Sequence, residues 1–88
     1  MKFSGKLVII DAHAKQRMLE RGATEQEVFE TVEKGMNFPA RKERTAYCMN
    51  FSFGKEWRGE IYPIKHLKVI VAEDSDEFVV VTVYVFYF

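Results

Sequence analysis

Cysteine is almost missing from this 88-residue chain: Cys48 stands alone. No internal disulfide can form, which excludes a small stapled secreted scaffold and points to a reducing, cytoplasmic setting. Long hydrophobic runs are missing too. Nothing approaches the ~20 apolar residues that a membrane-spanning helix needs, and Leu7–Ile10, four residues, is too short for the core of a signal peptide. Net charge is absent, with 13 Lys+Arg against 13 Asp+Glu, which argues against a protein that coats nucleic acid without discrimination. There are no repeats, low-complexity stretches or linkers, and no P-loop, G-x-G-x-x-G or G-x-S-x-G pattern. Cys48 and His66, candidate nucleophiles or ligands, belong to no C-x-x-C or H-x-x-x-H pair, so no metal and no cofactor is implied.

What is present is apolar content. Hydrophobic residues make up 48% and aromatics 15%, too much for a disordered chain and enough for one modest core. Residues 1–88 therefore read as a single domain. The zero charge conceals blocks: five basic against two acidic side chains in residues 1–21, one against four in 22–37, seven against three in 38–72, and none against four in 73–88. A phosphate feels mainly the charge within about 8–10 Å, so a neutral chain of this kind can still present a local basic face.

Lys6–Ile10, β-branched and apolar, predicts a short first strand. Asp11 is placed as an N-cap for a helix over Ala12–Arg21, with Gly22 at the C′ position. Thr24-Glu25-Gln26-Glu27 is a capping box opening a second helix, whose Val28, Phe29, Val32 and Met36 fall on one face before Gly35 and Pro39 end it. The short Gly22-Ala23 link predicts that the two helices pack as a hairpin. Beyond Pro39, Thr45–Phe53 alternates like a half-buried strand, and Gly54–Gly59 reads as a loop. Strand character returns at Glu60–Tyr62, is interrupted at Pro63 and resumes over His66–Ala72. After the Asp74-Ser75-Asp76 turn, Glu77–Phe88 is a long two-faced apolar strand suited to the middle of a sheet. The expected fold is α+β: an N-terminal helical hairpin packed on a three- to four-stranded antiparallel sheet, with a short strand before it.

On the first helix His13, Arg17 and Arg21 follow one another at i, i+4 and i+8, about 40° apart around the axis, along the border of the apolar face. Cleavage of RNA by its own 2′-hydroxyl needs a base, an acid and positive charge near the phosphorane oxygens. Imidazole and guanidinium supply those functions. The competing reading is plain surface chemistry, a capping histidine and arginines exchanging ion pairs with Glu20.

The stretch His13-Ala14-Lys15-Gln16-Arg17-Met18-Leu19-Glu20-Arg21-Gly22, followed by Thr24–Val28, resembles the H-A-x-x-R-M-x-E-R-G-[IA]-[ST]-x-x-x-V signature of a family of small prokaryotic proteins of unknown function. Leu67–Ala72 and Val79–Tyr84 resemble its second half, so the likeness covers roughly residues 6–85. The family is grouped with the RelE-like, or barnase–EndoU–colicin–RelE, superfamily. The resemblance implies a toxin-type, metal-independent endoribonuclease or RNA-binding protein of a toxin–antitoxin-like system, acting on RNA or the ribosome and held by an antitoxin. It places His13, Arg17 and Arg21 opposite Thr82 and Tyr84 of the last strand as the catalytic group, with Lys68 a weaker substrate contact.

Two features depart from the pattern. Val85-Phe86-Tyr87-Phe88 continues the strand where members usually stop, and Tyr47–Trp57 is long and aromatic, which would present Trp57 and Arg58 for base stacking or simply close the edge of the core. The first feature motivates a reading of another class, a non-catalytic RelE-like module that dimerises or binds a protein through its aromatic C-terminal strand.

Overall fold

The computed structural model describes residues 2–88. In chain order the elements are β1 (Lys2–Phe3), β2 (Lys6–Ile10), α1 (Ala12–Arg21), α2 (Glu25–Lys34), β3 (Met36–Pro39), β4 (Thr45–Trp57), β5 (Glu60–Glu73) and β6 (Glu77–Tyr87), with a single tight turn at Arg41–Glu43 between β3 and β4. No helix among the described residues is long and apolar enough to cross a membrane.

Both helices begin as their caps dictate. The Asp11 carboxylate accepts from the Ala14 amide at 2.8 Å. The Thr24 hydroxyl accepts from Glu27 at 3.1 Å while the Glu27 carboxylate accepts from the Thr24 amide at 2.9 Å, which satisfies two otherwise free donors. Gly22, at φ 82°, closes α1 in the left-handed conformation.

The sheet corrects the expected fold. In place of a helical hairpin on three or four antiparallel strands stands a six-stranded, curled, mixed sheet in the order β1-β2-β6-β5-β4-β3. The pair β2–β6 runs parallel and the others antiparallel. The helices find their principal partners in the sheet rather than in each other: α1 lies on β6, and α2 on β4 and β5. The physical reason is visible in β6, whose apolar residues on both faces need a neighbour on each side. The chain end that can supply the second neighbour is β2, which precedes the helices and so arrives parallel. Met36, expected on α2, instead opens β3 and is exposed. The Gly54–Gly59 loop is in fact the end of a long hairpin, turned by Arg58 (φ 50°) and Gly59 (φ 92°). Pro63 sits within β5 opposite a register shift between Ser52 and Lys55, where a missing ladder donor is tolerated.

One sheet face packs on the helices. Val8, Ile10, Tyr47, Leu67, Val69, Val71, Phe78, Val80 and Val83 join Ala14, Met18, Val28 and Val32 there in the core. A second register shift, between Ile70 and Val71, leaves Val81 as the extra residue of β6. Phe78 and Val80 point to the helices before it and Val83 after it, so Thr82, Tyr84 and Phe86 turn to the helix-free face.

Candidate functional site

On that helix-free face, cross-strand register assembles three rows. Phe38, Ala46, Ile70 and Thr82 form the first; Met36, Cys48, Lys68 and Tyr84 the second; Asn50, His66 and Phe86 the third. Neighbours within a row are about 4.8 Å apart, and rows follow at about 6.8 Å along the strands. His66 and Tyr84 are therefore diagonal neighbours, about 7–8 Å apart by backbone position, with Lys68 beside both.

The curl of the sheet and the 38–44 segment border an open cavity of about 1060 Å³ over the first row, most of the second, and His66. Arg41, Lys42, Arg44 and Lys68 line it together with His66, Cys48, Thr82 and Tyr84. Among the described residues no carboxylate is part of that lining, and none of these four cations is engaged in an ion pair. The basic block of residues 38–72 is thus a concentrated surface in a chain of zero net charge. The loop that carries three of the cations is backbone-strained, with Lys42 and Glu43 both at φ 59°, a region costly for residues with a Cβ.

His66 is oriented by Asn50, whose Oδ1 lies 2.6 Å from Nδ1. With the Nδ1 hydrogen donated there, a neutral ring carries its free lone pair on Nε2, the arrangement a general base requires. The thiol of Cys48 is pushed up from its ordinary pKa by burial, with Lys68 pulling more weakly the other way. It stays protonated at neutral pH and is a poor nucleophile.

The other residues singled out from sequence lie elsewhere. His13 is exposed on α1 and, with Arg17, falls outside the cavity lining. Arg17 donates to Glu20 at 2.9 Å and holds that carboxyl below its usual range. Arg21 reaches round the sheet edge. It donates to the Val83 carbonyl at 2.7 Å and lies 5.1 Å over the Tyr84 ring, so of the α1 stripe it touches a residue of the cavity. Trp57 stacks on Tyr87 with centroids 4.8 Å apart, and Arg58 donates to the Glu20 carbonyl at 3.0 Å. Both are engaged at the end of α1, remote from the cavity lining. The structure therefore gathers Thr82, Tyr84 and Lys68 in one place and adds Arg41, Lys42, Arg44, His66 and Asn50. Sequence reasoning singled out His66 as a candidate nucleophile or ligand but did not place it with the catalytic group, and it named none of the other four. The signal that held them was the basic block of residues 38–72, which spacing alone could not fold into a pocket.

A family model for a domain of unknown function, DUF4258, matches residues 10–85. The chain belongs to the DUF4258 family. No curated protein and no solved structure matches it. The match runs from the last residue of β2 to Val85 in β6, so this DUF4258 domain contains every element that lines the cavity.

Proposed function

We propose that this chain binds RNA in the helix-free cavity and cleaves it without a metal, by attack of the 2′-hydroxyl on its own phosphodiester. One observation carries the reading. Four unpaired cations line a concave wall that also holds an oriented histidine, in a protein of zero net charge. Phosphate is the ligand such a wall selects.

In the reaction His66 Nε2 takes the proton of the 2′-hydroxyl, and the O2′–P bond forms. Lys68, Arg41 and Arg44 neutralise the charge growing on the phosphorane oxygens. The P–O5′ bond then breaks, and the Tyr84 hydroxyl gives its proton to the departing 5′ oxygen. The products are a 2′,3′-cyclic phosphate and a 5′-hydroxyl end, and two proton transfers balance. His66 and Tyr84 suit the two roles because attacking and leaving oxygens lie on opposite sides of phosphorus, and the diagonal pair brackets a phosphate-sized gap. The RelE-like likeness of His13–Gly22, and with it a toxin–antitoxin setting on RNA or the ribosome, belongs to this proposal.

The test is induced expression in bacteria with mapping of new RNA ends. Wild type is expected to arrest growth and create ends. His66→Ala should remove them, a loss of roughly 10²–10⁴-fold in rate for a missing general base, while His13→Ala retains them. No new ends from wild type, or full activity in His66→Ala, sinks the assignment.

A second reading rests on the outer edge of β6. Pairing with β2 ends at Val80, and beyond it Arg21 meets the Val83 carbonyl, so Val85 and Tyr87 present open backbone beside exposed Phe86 and Phe88. A non-catalytic module would use that edge to dimerise. Sedimentation at micromolar concentration is expected to show a dimer on this reading, and a monomer throughout removes it.

A further inference from the structure

The third row of the helix-free face lies beside the cations and contains an aromatic ring that the cleavage chemistry does not use. Phe86 is directly opposite His66 across β5–β6, with ring centroids 6.0 Å apart, and its side chain is 51% exposed. It is also fixed. The two residues after it close the ladder, since Phe88 donates to the Ile64 carbonyl at 3.1 Å and accepts from the Ile64 amide at 2.9 Å. Tyr87, on the opposite face, is pinned by stacking on Trp57 and by its hydroxyl bond to the Arg21 carbonyl at 2.7 Å. A phenyl ring half open to water on a held strand offers apolar surface that a stacking ligand can cover.

We infer that Phe86 is a stacking platform for one unpaired nucleobase next to the cleaved phosphate, making the site selective for single-stranded RNA. The inference rests on the reading of the cavity as an RNA site. Occupant and charge agree: the adjoining wall is cationic and free of carboxylates among the described residues. The spacing agrees as well. Phe86 is one row from Lys68 and Tyr84, about 6.8 Å along the strand, a base-to-neighbouring-phosphate separation in an extended strand. A duplex offers nothing to this ring, because its bases are stacked on one another and its grooves present edges and sugars.

The experiment is fluorescence anisotropy of the full chain with a labelled 12-nucleotide RNA whose 2′-hydroxyls are methylated so that it cannot be cleaved, single-stranded or annealed to its complement, at fixed salt. Phe86→Leu keeps apolar bulk and removes the π face; Phe86→Tyr restores a ring. Thermal melts confirm that both fold. Wild type is expected to prefer the single strand by at least about tenfold. Phe86→Leu should weaken single-strand binding by roughly 5- to 100-fold, as loss of one base–aromatic stack does, with Phe86→Tyr close to wild type. Equal binding of the duplex, or wild-type affinity in Phe86→Leu, overturns the platform. If Lys68→Ala still weakens binding in that case, the RNA site survives without it. If no RNA binds at all, both fall. A change of sedimenting mass in Phe86→Leu makes the ring a contact between copies and also overturns the inference.

Discussion

Gly22 joins the left-handed end of α1 to the far corner of the sheet. At φ 82° any side chain is strained, and an added Cβ would stand 2.7 Å from both Trp57 and the Tyr87 hydroxyl. Gly22→Ala is expected to cost about 2–4 kcal/mol, strain and overpacking together, read as a lower urea midpoint with unchanged slope. Cys48 gives a chemical readout at the same scale. Burial raises its thiol pKa in the fold, so at pH values between the unfolded and the folded pKa the native protein holds a proton there that the unfolded chain has already lost. This contribution to stability is complete below the unfolded thiol's pKa and fades as pH rises through the folded one. Alkylation of native Cys48 should accordingly follow a pH curve displaced upward from that of the urea-unfolded chain. Coincident curves would return Cys48 to the candidate nucleophiles.

At the scale of elements, the end of α1 is sealed by side chains from two strands and the β4–β5 turn. Arg58 meets the Glu20 carbonyl, Tyr87 the Arg21 carbonyl, and Lys65 both the Gly22 carbonyl and, at 2.8 Å, the Glu27 carboxylate. Lys65 is buried, with its side chain 6% exposed, so it connects β5 to the α1–α2 junction where a helix end would otherwise hide unsatisfied carbonyls. Lys65→Met leaves the Gly22 carbonyl without this donor and the largely shielded Glu27 carboxylate without its cation, held only by the Thr24 amide. An expected loss of about 3 kcal/mol or more follows, measurable by thermal unfolding. The β5–β6 turn carries an acid-sensitive counterpart. Asp74 accepts from the amides of Asp76 and Glu77 at 2.8 and 2.7 Å, and those bonds lower its pKa. Its stabilising effect is present above the unfolded carboxylate's pKa and lost as pH falls through the folded value. Asp74→Ala should lower the melting temperature at pH 7, with the difference from wild type shrinking as pH falls through the folded value; a difference that does not shrink in acid would assign the effect to packing.

The molecule as a whole spans 42 × 24 × 24 Å, and at its basic cavity the charge a phosphate meets is that of the lining cations rather than the zero net charge of the chain. Binding of single-stranded RNA that engages three or four phosphates is expected to weaken with salt at a log–log slope of about −2 to −3. Replacing Lys68 and Arg44 together with Ala should reduce that slope by about 1.4. A salt-independent affinity would remove the cations from the site.

Both helices were legible because their signals are local: Asp11, Gly22, the Thr24–Glu27 capping box and Gly35 act within four residues of where they stand. The strand character of Lys6–Ile10, Thr45–Phe53 and Glu77–Tyr87 was legible for the same reason, since β-branched and aromatic side chains fit a pleat wherever it lies. Strand order was not. That β2 would run parallel beside β6, or that Met36–Pro39 would pair with β4, depends on residues tens of positions apart finding one another. The candidate site was least legible of all. A strict two-residue alternation through β6 puts Phe78, Val80, Thr82 and Tyr84 on one face, and the extra residue Val81 breaks it, sending Thr82 and Tyr84 to the side opposite the helices. Sequence by itself determined the two helices, their caps, the strand character of β2, β6 and much of β4 and β5, and the store of basic residues, because those follow from neighbours along the chain. Only the tertiary structure decided that the basic wall, His66 and Tyr84 share one cavity, because register and curl are settled by burying the Val-rich face against α1 and α2.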